Sequence, residues 1–149
     1  MVTTVGTESK LEDLLTDLIQ LDYDAADAYQ AAIDRLENAS YRAELALFNA
    51  DHLRHIEELG DALGAMGRTP PKQGDIKRFL TKGKVVIGSL MGDEAILQAM
   101  RTNEEDTNTA YERAVGFRNV PPSTEEILER AREDERRHLA WILAAIDEH

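Results

Sequence analysis

The residues best suited to chemistry in this chain are Asp22, His52, His55, Glu104, Glu135 and His138. Carboxylates offer anionic oxygen and imidazoles offer nitrogen, so the six make a sulfur-free ligand set of the kind that suits iron, manganese or zinc. Glu135-Arg-Arg-His138 and His52-Leu-Arg-His55 each place two such side chains one helical turn apart, on a single face. Three of the four histidines stand at these positions. The chain has no cysteine, which removes thiolate ligands, cysteine nucleophiles and disulfides from consideration.

Helical phase is what gathers the six. An apolar stripe through Leu15, Leu18, Ala25 and Tyr29 passes through Asp22, and one through Leu45, Phe48 and Leu59 takes in His52 and His55. Leu97, Met100, Thr107 and Tyr111 select Glu104, while Leu128, Ala131 and Ile142 select Glu135 and His138. The acidic neighbours Asp24, Glu105 and Asp106 fall off the stripes and are expected in water. Ionisable groups buried without partners cost roughly several kcal/mol each, more than a marginally stable domain tolerates. One or two metal ions would satisfy them, and so would a metal-free network of His–carboxylate hydrogen bonds.

Four long helices must carry these stripes, and the spacing predicts them at about 10–38, 41–66, 94–118 and 124–147. Ser9 with Glu12, and Ser123 with Glu126, have capping-box spacing, and Asp93 stands where the third helix needs a cap. Asn38-Ala39-Ser40 is a short turn, so the first two helices are expected antiparallel. Residues 68–92 hold Pro70-Pro71, Gly74, Gly83, Gly88 and Gly92, with a short helical or irregular segment from Ile76 to Leu90. A helix of about 25 residues is roughly 37 Å long, so this stretch is long enough to run the length of a bundle and leave the second and third helices parallel. The halves also echo one another: Ala28-Tyr29 and Asp51-His-Leu-Arg-His55 have counterparts in Ala110-Tyr111 and Asp134-Glu-Arg-Arg-His138.

The expectation is one all-α domain spanning 1–149, a four-helix bundle with one long crossover between helices 2 and 3. With 29 acidic against 17 basic residues and a net charge of −12, nucleic acid and anionic membrane surfaces are not expected partners. Lys77-Arg78 and Lys82 to Lys84 make the crossover basic, but no stacking aromatics accompany them. No apolar run has the length of a membrane span and the first residues do not read as a leader, so the setting is expected to be cytoplasmic.

An acidic residue on the first helix, Glu104 on the third and Glu135-x-x-His138 on the fourth resemble the di-iron pattern of the ferritin-like superfamily over essentially the whole chain. Asp22 with Tyr29 is similar to the first-helix Glu and following Tyr of bacterioferritins. Asp51 and Asp134 are similar to acidic residues that stand beside the ligands in that family. The stretch from Gly92-Asp-Glu-Ala-Ile-Leu97 to Ala110-Tyr-Glu-Arg-Ala114 looks most like the poorly characterised ferritin-like helical-bundle proteins of bacteria. The resemblance implies a bundle-core site for one or two iron ions, held by Asp22, His52, His55, Glu104, Glu135 and His138, with manganese or zinc as alternatives. It also implies a homodimer and a ferrous-iron oxidation by oxygen or peroxide.

The chain departs from that family at one ligand. Ferritins carry Glu-x-x-His on the second helix as well, and here the Glu position is His52. An imidazole nitrogen binds one metal where a carboxylate can bridge two, so an asymmetric or mononuclear site becomes an open reading. Tyr29 and Tyr111 read either as core residues with satisfied hydroxyls or as donors near a metal. Asp51 and Asp134 read either as solvated groups or as supports for imidazole ligands. The functional alternative is a non-catalytic stress-response or interaction bundle with a metal-free polar core.

Overall fold

A computed structural model describes residues 3–73 and 79–148, and among these it contains five helices and no strand. They are α1 (Leu11–Arg35), α2 (Ala39–Ala65), the one-turn α3 (Lys84–Gly88), α4 (Asp93–Val115) and α5 (Pro122–Glu148). Gly74, Ile76, Lys77 and Arg78 of the expected crossover lie outside the described residues. Within the crossover only α3 is helical among the residues described.

Each long helix packs on two others, α1 and α5 both touching α2 and α4. Side-chain pairings give the directions. Asp22 meets Tyr111 while Tyr29 meets Glu104, so α1 and α4 are antiparallel. Tyr29 stands beside Phe48 and Asp22 beside His55, so α1 and α2 are antiparallel. Glu58 pairs with Arg130 and Asp51 with His138, so α2 and α5 are antiparallel too. α2 and α4 therefore point the same way, and the crossover between them runs the length of the helices.

The turn chemistry differs from expectation in instructive ways. Ser9 is not a cap, because α1 begins at Leu11 with Lys10 in the capping position and no side-chain bond there. α1 ends at Arg35 rather than near 38, since Asn38 is already the cap of α2, its Oδ1 accepting from the N–H groups of Ser40 and Tyr41. Asp93 lies inside the first turn of α4, and Gly92 (φ 89°) takes the cap position. The freed Asp93 carboxylate accepts from Glu37 N–H (2.8 Å) and Asn38 N–H (3.0 Å), strapping the α1–α2 turn to the start of α4. Ser123 caps nothing either, as α5 opens at Pro122, whose missing N–H is no loss at a first helical position.

Gly67 (φ 80°) ends α2 in a Schellman arrangement: Arg68 N–H reaches Leu63 O and Gly67 N–H reaches Gly64 O. Pro70-Pro71 then forbids continuation. The crossover is held by buried polar groups, Asp24 accepting from Phe79 N–H and Asn103 pairing with both backbone groups of Lys82. Ile87 of α3 is fully buried and anchors it.

Two apolar clusters fill the interior. One joins Leu14, Leu15, Leu18, Leu59, Leu63, Ala114 and Leu128, and the other joins Ala32, Leu36, Leu45, Phe48, Ile96, Met100 and Ile142. Ile33, Ile56, Ile127 and Leu139 lie at the edge of the core and are only partly buried. Between the clusters lies a polar layer.

Candidate metal centre

All six sequence-predicted ligands lie in that layer and are buried, with exposures of 0–1%. α1 supplies Asp22, α2 supplies His52 and His55, α4 supplies Glu104, and α5 supplies Glu135 and His138. Their donor atoms form two groups, each within 4.8 Å: Asp22, His52, His55 and Glu135, and His52, Glu104, Glu135 and His138. His52 and Glu135 belong to both. His52 Nδ1 is 2.8 Å from Asp22 Oδ1 and 3.4 Å from Glu135 Oε1, and its Nε2 is 3.5 Å from Glu104 Oε1.

The supports repeat with the internal symmetry of the sequence. Tyr111 OH donates to Asp22 and Tyr29 OH donates to Glu104, so each tyrosine is both a core residue and a donor to a ligand carboxylate. Asp134 lies 2.9 Å from His55 Nε2, and Asp51 lies 2.8 Å from His138 Nε2. Such carboxylates fix the tautomer and plane of an imidazole. Phe48 stacks on His138 at 4.3 Å. On the surface above, Asp51, Arg54, Asp134 and Arg137 close a ring of ion pairs.

Sequence reasoning missed several of these groups. Thr107, assigned to packing, has its hydroxyl 3.1 Å from Glu104 Oε2 and 3.0 Å from Glu135 Oε2. Asp24 and Asp106, expected in water, are 9% and 6% exposed because the crossover and the N-terminal segment cover them. No sequence signal marks either one, because the segments that cover them are distant along the chain. Met100 is a packing residue as expected, and Trp141 packs edge-on against Phe48 and Tyr41.

Charge is unevenly settled. Burial opposes a proton on each imidazole, but the surrounding carboxylates outweigh it. His52, facing Glu135, Asp22 and Glu104, is raised to about 10. His55, facing Asp22 and Asp134, is raised to about 9, and His138, facing Asp51 and Glu104, to about 12. Burial also disfavours charge on Asp22 and Glu104, yet the imidazoles hold both below the usual carboxylate range. Glu135 goes the other way: burial, then Glu104, push it up. Burial and the adjacent carboxylates raise both tyrosines, so they keep their protons and act as donors.

Three buried polar atoms within the cluster have no hydrogen-bond partner: His52 Nε2, His138 Nδ1 and Glu135 Oε1. His138 Nδ1 lies 3.5 Å from both Glu104 Oε1 and Glu135 Oε2, charge contacts without hydrogen-bond geometry. Orphaned buried donors and acceptors cost about 1–3 kcal/mol each, a cost that an ion bound at these three atoms would offset. The donor set and its geometry can hold a metal ion.

Over residues 10–116 the sequence matches the family described as Domain of unknown function (DUF2383). The chain belongs to that family. The matched region carries Asp22, His52, His55 and Glu104, and it stops before α5, which supplies Glu135 and His138. No curated protein matches this member of the family. Among solved structures, a hypothetical protein from Pyrococcus furiosus is similar at a TM-score of 0.70 and 16% identity, covering 95% of this chain and 90% of that one. At that identity the likeness shows a shared fold. No helix among the described residues is long and apolar enough to cross a membrane.

Proposed function

We propose that this DUF2383 member is a ferritin-like metalloprotein whose carboxylate–histidine centre binds iron and oxidises the ferrous ion with oxygen or peroxide. The ferritin-like assignment is supported by four long helices joined short, long, short, with α2 and α4 parallel and every long helix contributing to one polar layer. The single observation that carries metal binding is the trio of orphaned buried atoms, His52 Nε2, His138 Nδ1 and Glu135 Oε1. A purely structural polar core would be expected to close its own hydrogen bonds, and this one does so only in part.

Bound iron would supply one electron per ion to the oxidant. The protein's part is to present Glu104, Glu135, His52 and His138 without thiols, and to keep water out with the apolar clusters on either side. Tyr29 and Tyr111 hold protons against Glu104 and Asp22. Manganese or zinc would meet the same donors, so the metal's identity rests on comparing them. The test is ferrous-iron oxidation followed by absorbance in air and with peroxide: the reading expects oxidation faster than in buffer and its loss in His138→Ala, and a rate equal to buffer rejects it.

The reading includes a homodimer. Its support is the outer face of α2, where Ala43, Ala46, Leu47, Ala50 and Leu53 recur at helical spacing and Leu47 and Leu53 are 62% and 54% exposed. Light scattering should give twice the chain mass, reverting to one in the double variant Leu47→Glu, Leu53→Glu. A wild-type monomer would remove this part of the proposal.

A further inference from the structure

Resting on the metal-binding reading, we propose that the centre takes a single ion, held by His52 Nε2, Glu104, Glu135 and His138 Nδ1, and that Asp22 and His55 are positioning residues instead of ligands. The sequence places all six on inward faces and singles out only His52, as a departure from the family pattern. Their hydrogen bonds separate them.

His55 has no nitrogen to spare. Its Nδ1 faces Asp22 Oδ1 at 3.2 Å and its Nε2 faces Asp134 Oδ2 at 2.9 Å. Both nitrogens therefore already face carboxylate oxygens, and a metal could reach His55 only by displacing one of these partners. Asp22 is equally committed. Its Oδ1 is shared by His52 Nδ1 and His55 Nδ1, and its Oδ2 accepts from Tyr111, so three donors occupy its two oxygens.

His52 and His138 are arranged differently. Each has one nitrogen on a carboxylate, Nδ1 on Asp22 and Nε2 on Asp51 respectively, both at 2.8 Å. In each the opposite nitrogen is orphaned and buried. A carboxylate behind an imidazole with a free nitrogen in front is how proteins prepare a histidine ligand. The third orphan, Glu135 Oε1, belongs with these two, and Glu104 Oε1 lies 3.5 Å from both free nitrogens. The four residues are one of the two groups whose donor atoms lie within 4.8 Å. Two neutral imidazoles and two carboxylates would also balance a divalent ion. A second ion would have to displace Asp22 from His55 Nδ1 and find another ligand in place of His52, whose single free nitrogen serves one metal.

The probe is Co²⁺ added to the full-length apoprotein, with stoichiometry by native mass spectrometry and affinity by equilibrium dialysis. One Co²⁺ per chain is expected. His138→Gln and Glu104→Gln should weaken it by more than ~100-fold, Asp22→Asn by about 10- to 100-fold as the loss of a support predicts, and His55→Gln by less than about 10-fold. Wild-type crystals soaked in Co²⁺ need no variant and should show one anomalous peak among His52, Glu104, Glu135 and His138. Two ions of comparable affinity, a peak beside Asp22 and His55, or His55→Gln as damaging as His138→Gln would overturn the single-ion assignment while leaving metal binding intact. Folded wild-type protein that takes up no Co²⁺ would overturn both.

Discussion

At the scale of single residues, the centre contains one group that metal-free folding disfavours. Glu135 is fully buried, has its pKa raised by burial and by Glu104, and leaves Oε1 unpartnered. Neutralising it removes that burial cost together with the charge that favours protonated His52, so Glu135→Gln is expected to leave the metal-free melting temperature little changed, yet to abolish the rise that added metal gives the wild type. Thermal melts of both proteins, with and without Zn²⁺, check this, and a destabilised metal-free variant would contradict it. The inward position of all six ligand-type residues was legible because each interrupts a stripe of apolar residues at helical spacing. Their division of labour was not, because periodicity gives a side chain's face and says nothing of which nitrogen it leaves free. Asp24 and Asp106 were misread for a related reason, since what covers them comes from segments distant in sequence.

At the scale of the elements, turn chemistry connects the bundle's end to its ligands. Asn38 caps α2, and Asp93 ties the neighbouring backbone to α4. Asn38→Ala should cost about 1 kcal/mol in denaturant unfolding, and a change within error would show the cap to be idle. The four helices could be placed from sequence because three-to-four-residue periodicity persists for 23–27 residues in each. Their starts could not. Ser9, Asp93 and Ser123 all have capping chemistry, but none holds a cap position: Lys10 and Gly92 precede α1 and α4, and α5 already begins at Pro122. Local propensity offers several starts one residue apart, and packing of the apolar face chooses among them.

At the scale of the whole molecule, stability and metal binding are linked through protons. His52, His55 and His138 are raised in the folded state to about 10, 9 and 12. Folded pKa values above the unfolded value near 6.5 mean that the protonated imidazoles stabilise the apoprotein fully below about pH 6.5. That contribution is lost as pH climbs through 9 and beyond. Asp22 and Glu104 have lowered values, so their contribution is present above the ordinary carboxylate range and disappears as pH falls through their folded values. The metal-free melting temperature should accordingly fall between pH 7 and pH 10. The metal-loaded protein should fall less, because ligation has already removed the protons from His52 and His138. Metal uptake should release protons, measurable by calorimetry in buffers of different ionisation enthalpy, and uptake without proton release would mean that the imidazoles are not ligands.

If the polar layer between the two apolar clusters holds a metal ion, the wild-type melting temperature of chelator-treated protein will respond to stoichiometric Fe²⁺ added without oxygen, with Mn²⁺ and Zn²⁺ in parallel. A rise with at least one of them, reversed by chelator and absent in His138→Gln, is the predicted result. An unchanged melting temperature with all three would contradict the account and leave a metal-free polar core in its place.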